Sequence, residues 1–198
     1  MSVMLLRNRI IPMHSTLIDN SEHLQLVDTL KELIKVPDIT HIDIATGYWD
    51  IPGTQLIAAE LRAFLERSAD TRVRILIGKD PYLFAQYSAD VKYKDADYPQ
   101  DFIKTDLADL KVKSEYTPAV QLLLDFCKEQ HEGLNDPKIE IRIFRGVTED
   151  DKQQFFHSKC YILYGTGIAY GIIGSSNFTQ KGLQENSELN YLETHTQI

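Results

Sequence analysis

Two pairs of polar residues in the C-terminal part of the chain could do chemistry together: His157 with Lys159, and Ser175 with Asn177. A neutral imidazole can attack an electrophile or carry a proton near pH 7. Ammonium, hydroxyl and amide groups can donate hydrogen bonds to the negative charge that develops on a phosphoryl oxygen. The four residue types therefore suit phosphodiester chemistry that needs no metal ion.

Each pair lies in a β-rich run, and residues 165–167 separate the two runs. The Gly-Thr-Gly sequence of this connection predicts a hairpin. A three-residue turn would pair Tyr164 with Ile168, and counting back would place His157 opposite Ser175, about 5 Å apart at Cβ. The second member of each polar pair would then share that face. A two-residue turn would shift the register by one residue and separate the side chains.

The first elements of the chain are predicted from hydrophobic spacing and capping residues. Asp19, Asn20 or Ser21 can cap an amphipathic helix over 19–36, and Pro37 forbids its continuation. Residues 41–47, 55–68 and 73–78 then read as strand, helix and strand. This order predicts a right-handed parallel crossover. The loop 47–50 follows the first of these strands, at the edge where α/β sheets commonly place ligands.

The middle of the chain has a different texture. Residues 81–136 begin with a polar, tyrosine-rich stretch and read as a helical insertion, in which a helix resumes at Pro118. The apolar face of this helix is predicted to consist of Val120, Leu123, Leu124 and Cys127. A strand over 138–144 returns the chain to the core, so that segments 38–80 and 137–194 form one domain within residues 1–198.

The order of the polar motifs carries a family resemblance. H-x-K at 157–159, G-S-x-N at 174–177 and N-S-E at 186–188 resemble the phospholipase D superfamily. The segments IDIATGY and RILIG, ending at Tyr48 and Gly78, are similar to the opening β-α-β unit of its domains. The resemblance covers most of residues 38–194. It implies an α/β fold, with a mixed sheet flanked by helices and a helical insertion.

The resemblance also implies a role for each site residue. His157 would be the nucleophile that forms a phosphohistidine intermediate, and Lys159, Ser175 and Asn177 would bind the phosphate. Glu188 would orient the histidine. No metal or other cofactor is implied.

Two departures from the family pattern are visible in the sequence. Tyr164 stands where the full motif has an aspartate, a replacement that family members with a shorter G-S-x-N form tolerate. The family site also uses two H-x-K motifs, whereas this chain has one. The resemblance therefore implies a twofold homodimer that pairs His157 with the same residue of a second copy.

Composition limits the alternatives. The chain has 198 residues and a net charge of -8, so any polyanion site must be local. Two cysteines without a C-x-x-C pair, and a start without a signal-peptide core, predict a soluble cytoplasmic protein. The strand-like ending at Ile198 would suit a segment of a longer protein.

Nucleic acid, most simply DNA, is the expected substrate. No basic helix with a clean apolar face indicates a membrane surface. The residues around the motif have a mild excess of positive charge, from Lys138, Arg142, Arg145, Lys152, Lys159 and Lys181.

The resemblance extends to nuclease domains of bacterial superfamily 2 helicases and of restriction or phage-defence enzymes. The chain has no phosphate-binding loop of its own, so a motor would have to follow Ile198. The alternative is a non-catalytic DNA-binding module that guides an attached helicase, and lipid chemistry is a third reading.

Overall fold

A computed structural model describes residues 4–6, 9–11, 16–78, 117–127, 137–144, 146 and 156–196. The strands are β1 Met4–Leu6, β2 Arg9–Ile11, β3 Thr16–Ile18, β4 Ile39–Thr46, β5 Arg72–Ile77, β6 Ile139–Ile143, β7 Cys160–Gly165, β8 Ile168–Gly174 and β9 Asn190–Thr196. The helices are α1 Leu26–Ile34, α2 Ile51–Leu56, α3 Ala58–Arg67 and α4 Thr117–Phe126, with a π-helical turn at Lys181–Glu185.

Seven strands form a mixed sheet in the order β3-β9-β8-β7-β4-β5-β6. β4, β5 and β6 are parallel, and β7, β8 and β9 follow as antiparallel neighbours. β1 and β2 form a separate two-stranded ladder. The mixed sheet with flanking helices confirms the predicted fold class, and the β4–β5 pair confirms that the crossover joins parallel strands.

The helices of the crossover differ from the single helix predicted over 55–68. The first helix begins at Ile51, because Asp50 Oδ1 accepts a hydrogen bond of 2.6 Å from the backbone N–H of Gly53. The Pro-Gly sequence that follows Ile51 reads as a loop, yet a proline is tolerated in the first turn of a helix. The helical segment breaks at Ile57, and α3 continues from there.

Helix α1 is shorter at its start than predicted, but one predicted capping residue serves it. Asn20 adopts a left-handed backbone with φ of 58°, and its Oδ1 accepts a hydrogen bond of 2.9 Å from Leu26 N. Its Nδ2 donates to Gly182 O at 2.9 Å and to Asn186 O at 3.2 Å. Asn20 thus ties the start of α1 to the segment that leads to Glu188.

Helix α4, which the sequence assigned to the insertion, packs on the core helices. Ala119, Leu122 and Leu123 are buried, whereas the side chain of Leu124 is 41% exposed. The prediction that Leu124 lies on the apolar face is wrong, since three consecutive leucines leave the buried face undetermined by spacing alone. The rest of the insertion, residues 81–116 and 128–136, lies outside the described residues.

The hairpin has a different register from the predicted one. Gly165 pairs with Ile168 and Tyr164 with Ala169, so that the turn contains only Thr166 and Gly167. Gly167 has φ of 74°, a conformation that favours glycine. Gly165 remains in the strand beside the Asp38 carbonyl, where a Cβ would clash. The predicted pairing of His157 opposite Ser175 is therefore wrong.

The two faces of the sheet are covered unequally in the described parts of the chain. One face is buried against the helices, with Ile42, Val73, Tyr161, Leu163 and Ile172 at most 2% exposed. The other face carries exposed apolar side chains and an open cavity of about 330 Å³ lined in part by Cys160. Cys160 is half-buried on this second face.

No helix in the described part of the chain is long and apolar enough to cross a membrane.

Candidate active site

The candidate site lies at the edge of the sheet where the parallel strands β4 and β5 end. Gly47 and Gly78 follow these strands, and Gly78 N donates a hydrogen bond of 2.8 Å to Thr46 O. The chain segment that leads into β7 passes close to both glycines. A Cβ at Gly78 would clash with Phe156 O and would lie 2.9 Å from Gly47 O. Glycine at this position therefore lets the backbone next to His157 approach the ends of the strands.

His157 and Asn177 flank the same glycine. A Cβ at Gly47 would lie 3.5 Å from Cδ2 of His157 and 3.2 Å from Oδ1 of Asn177. Both residues stand outside the strands, because β7 begins at Cys160 and β8 ends at Gly174. The structure thus brings the histidine and the asparagine together through the two loops beyond the hairpin, and not through cross-strand pairing.

The amide of Asn177 has a defined orientation. Its Oδ1 accepts a hydrogen bond of 3.1 Å from the backbone N–H of Tyr48. An N–H group can face only the oxygen of an amide, because the nitrogen is itself a donor. No described residue accepts a hydrogen bond from Asn177 Nδ2. The side chain therefore offers N–H donors, and not an acceptor, to a ligand.

Ser175 follows the same rule. Its Oγ accepts a hydrogen bond of 3.0 Å from Leu189 N, and its backbone N–H donates to Leu189 O at 3.1 Å. The hydroxyl proton is left to donate to a ligand. Ser175 is exposed, so a ligand can reach it.

Lys159 is 8% exposed, and its Nζ donates a hydrogen bond of 2.8 Å to the carbonyl of His157. This contact places the lysine directly behind the histidine backbone. Burial lowers the pKa of the Lys159 ammonium, and the negative charge of Glu188 partly offsets that effect. Glu188 Oε1 accepts a hydrogen bond of 3.3 Å from Asn186 Nδ2.

The five predicted site residues thus lie in loops at one edge of the sheet. His157 and Asn177 meet at Gly47, whereas Lys159 lies behind His157 and within the field of Glu188. Ser175 is two residues from Asn177 and is held by Leu189. An ammonium, a hydroxyl and an amide that all offer hydrogen-bond donors are suited to bind an anion beside an imidazole.

The sequence pointed to the loop 47–50 but missed the residue before it. The Thr46 side chain is fully buried, and its Oγ1 donates a hydrogen bond of 2.7 Å to Tyr48 O. The same oxygen accepts one of 2.9 Å from Phe178 N. The available signal was a hydroxyl residue on the buried face of β4, whose other buried residues are isoleucines.

A carboxylate joins the same two loops. Asp50 Oδ1 accepts hydrogen bonds from Gly53 N at 2.6 Å and from Gln180 N at 3.0 Å. Burial raises the pKa of Asp50, against the lowering effect of the two N–H donors. A backbone bridge between Trp49 and Phe178 runs alongside. Asp50 therefore has a structural task beside the site.

Tyr164, which replaces the motif aspartate, lies far from the candidate site. It is four residues further along β7 than Cys160, about 13 Å in an extended strand. Its hydroxyl accepts a hydrogen bond of 3.1 Å from Arg74 Nη2, and its ring stacks on His41 with centroids 5.1 Å apart.

Two of the basic residues expected near the motif form hydrogen bonds with other protein groups. Lys138 Nζ donates to the carbonyls of Leu65 and Ser68, where α3 ends. Arg142 Nε donates to Glu140 at 2.6 Å. Arg145 and Lys152 lie outside the described residues. Within the described ranges, no three His, Cys, Asp or Glu side chains converge as metal ligands would.

Comparison with known proteins identifies the class. The family model "Cardiolipin synthase, PLD-like domain" matches residues 30–198. The chain belongs to this family of phospholipase D-like domains, which confirms the resemblance seen in the motifs. No curated protein matches the chain.

Solved structures are similar to this chain at low sequence identity. Polyphosphate kinase from Porphyromonas gingivalis has 12% identity and a TM-score of 0.50 over 92% of this chain and 24% of its own. NucT from Helicobacter pylori has 13% identity and a TM-score of 0.49, over 92% and 85%. Nuc from Salmonella typhimurium, a phospholipase D family member, has 15% and 0.45, over 92% and 83%.

Proposed function

We propose that this chain is a metal-independent phosphodiesterase that cleaves nucleic acid, with His157 as the nucleophile. The observation that carries the proposal is the set of donors at the strand ends. The Ser175 hydroxyl and the Asn177 amide present O–H and N–H groups at the edge where His157 lies, and the Lys159 ammonium contacts the carbonyl of His157. Such a set would stabilise the oxygens of a phosphoryl group during attack by the imidazole.

The reaction would proceed in two displacements. The imidazole of His157 attacks phosphorus and forms a phosphohistidine. The bond to the leaving oxygen breaks while an acid of the site protonates that oxygen. Water then attacks phosphorus, the group that protonated the leaving oxygen takes the proton of the water, and the bond to His157 breaks. Glu188 would orient the imidazole of His157, and its negative charge also acts on Lys159.

A phosphodiester of DNA or RNA fits these donors, because each linkage carries one anionic phosphate. In a longer protein the domain would serve as the nuclease of a helicase or restriction-type enzyme. The alternative function is that of a DNA-binding module that has lost cleavage.

The direct test is hydrolysis of bis(p-nitrophenyl) phosphate and of single- and double-stranded DNA in excess EDTA. We expect turnover by the wild type and loss of it, by more than about 10³-fold, in His157→Ala. His195→Ala is the matched control, because His195 is an exposed histidine of β9 paired with Ala169, near the turn of the hairpin. DNA binding without turnover would reject catalysis and favour the binding module. Cleavage of phospholipid vesicles but not of DNA would reject the substrate class.

A second copy of the chain would complete the site in the proposed mechanism. The acid that protonates the leaving oxygen would be His157 of that copy, since the sequence contains only one H-x-K motif. Two exposed apolar side chains border the site, Ile173 at 58% and Leu189 at 59% exposure. Ile173 adjoins Gly174, and Leu189 is hydrogen-bonded to Ser175. Exposed apolar surface next to a site is typical of an interface.

Light scattering of the purified chain tests the homodimer. We expect a dimer for the wild type, and a monomer with lost activity for Ile173→Asp. Leu124→Asp introduces the same charge at an exposed leucine of α4, and it should leave the dimer intact. Coexpression of wild type with excess His157→Ala should lower activity per wild-type chain. A fully active monomer would contradict the paired site.

A further inference from the structure

We infer that Thr46 is the positioning residue that fixes Asn177 with its N–H groups toward the bound anion. The inference rests on the proposed function for its kinetic consequence, and on the hydrogen bonds around Thr46 for its structural basis. Thr46 is 0% exposed, so it acts only through its protein neighbours.

The Thr46 hydroxyl has a single proton to donate. The shortest acceptor is Tyr48 O at 2.7 Å, whereas Asn177 Oδ1 is 3.5 Å away. The proton therefore goes to Tyr48 O, and the oxygen lone pair receives the N–H of Phe178 at 2.9 Å. One hydroxyl thus joins the loop after β4 to the loop after β8.

The backbone N–H of Tyr48 carries the constraint on to Asn177. With its carbonyl held by Thr46, Tyr48 directs its N–H at Asn177 Oδ1, 3.1 Å away. Thr46 holds the residue after Asn177 through the N–H of Phe178. Asn177 is therefore constrained at its amide oxygen and at the following peptide, and both constraints pass through the same threonine.

These contacts decide which atoms the Asn177 amide presents to a ligand. If the loop moves away from Asn177, Oδ1 loses its donor and the amide can rotate to present oxygen instead of N–H groups. An oxygen that faces a phosphate would repel it. Gly47 lies between Thr46 and Tyr48 and touches the same space as His157, so a shift of this loop would also change the surroundings of the histidine.

Three variants test this inference. Thr46→Val has nearly the same shape but lacks the hydroxyl, and Thr46→Ser restores it. Thr71→Val is the matched control, since Thr71 is also 0% exposed and its hydroxyl contacts Leu65 O at 3.1 Å and Ser68 O at 2.8 Å, at the end of α3. A loss of stability alone would affect both valine variants.

The readouts are kcat/KM for the phosphodiester, and the side-chain NH2 resonances of Asn177 during titration with inorganic phosphate. Thr46→Val should lower kcat/KM by about ten- to a hundredfold, the scale expected for a misplaced binding group. It should also weaken phosphate binding and abolish the phosphate-dependent shift of these resonances. Thr46→Ser should regain most of both, and Thr71→Val should keep both. The Asn177→Asp variant assigns the resonances.

The two proposals fail in different ways. A wild type that binds phosphate at Asn177 without turnover would reject catalysis, and the Thr46→Val titration would still decide the positioning role. A Thr46→Val variant whose Asn177 resonances shift with phosphate as in the wild type would overturn the inference, whatever its activity. Equal losses in Thr46→Val and Thr71→Val would also overturn it, because general destabilisation would then explain both.

Discussion

The β7–β8 hairpin carries polar side chains at both ends, and the two ends use them differently. Towards its turn, Tyr164 accepts a hydrogen bond from Arg74 of β5, and Arg74 forms an ion pair with Asp43 of β4, with Nε 2.7 Å from Oδ1. These groups satisfy one another. At the opposite end, the acceptor oxygens of Ser175 and Asn177 are occupied by backbone N–H groups, and the donors remain.

The difference separates a structural cluster from a candidate ligand site. A cluster with its charges paired has little to offer a ligand, and an exposed ion pair contributes little to stability. A group of donors without protein acceptors is stable only where water or a ligand can receive the hydrogen bonds. This difference also accounts for Tyr164 in place of the motif aspartate, because Tyr164 lies at the end where the polar groups pair with one another.

Replacement of the buried lysine should give the largest effect at the site end. Lys159→Met keeps the length of the side chain and removes its charge. We expect kcat to fall by about 10²- to 10³-fold, as for the loss of one preorganised donor. Arg74→Met is the corresponding change at the turn end, and it should leave kcat within about twofold because exposed ion pairs act only locally. Steady-state kinetics on a phosphodiester decides whether the two ends differ in this way.

Substitution of glycine by alanine should change the free energy of unfolding differently at a tightly packed glycine and at an open one. Gly78→Ala would drive a Cβ into Phe156 O, so the free energy of unfolding should fall by about 2 kcal/mol. Gly171→Ala, in β8, meets nothing within 4 Å and should raise it by up to about 1 kcal/mol. Urea denaturation of both variants measures the difference. Equal effects would mean that the strand ends do not hold the His157 segment closely.

The pH dependence of anion binding should report Lys159. Because burial lowers its pKa below the ordinary 10.5, the lysine loses its charge at a lower pH than an exposed one. Phosphate affinity should therefore fall as the pH rises through that lowered pKa. The free energy of unfolding should rise over the same window, since the unfolded chain holds the proton more tightly than the folded one. Both trends should vanish in Lys159→Met and persist in Lys181→Met, an exposed lysine.

The smallest effect is expected at the turn. Tyr164→Phe removes one hydrogen bond to Arg74 and keeps the ring on His41. We expect a loss of stability of about 0.5 kcal/mol, in the range of an exposed polar contact, and unchanged kcat/KM. Thermal denaturation and kinetics measure the two quantities. A loss of activity in Tyr164→Phe would show that the turn end also serves the site.

The sequence by itself determined the fold class and the parallel crossover. Hydrophobic spacing is a property of each segment, so strands such as 73–78 and helices such as α1 follow from local pattern. The order of the motifs also identified the family. The assignment of His157, Lys159, Ser175, Asn177 and Glu188 to a catalytic site came from the same motifs and stays a prediction.

Only the tertiary structure decided the hairpin register. Gly165 and Gly167 are equally suited to a turn, and the choice between them depends on the Asp38 backbone, which is distant in sequence and lies beside Gly165. A register shift of one residue moves every side chain of a strand to the opposite face, and local propensity does not distinguish the two registers.

The orientation of the site depended on distant contacts as well. Asn177 is 129 residues from Tyr48, and its amide is set by that peptide, while Thr46 bonds to Phe178 across 132 residues. Motif spacing names the residues but does not state which atom of an amide or hydroxyl remains for a ligand. That choice belongs to the two loops that meet at Gly47, because hydrogen-bond donors and acceptors are assigned only once both partners are in place.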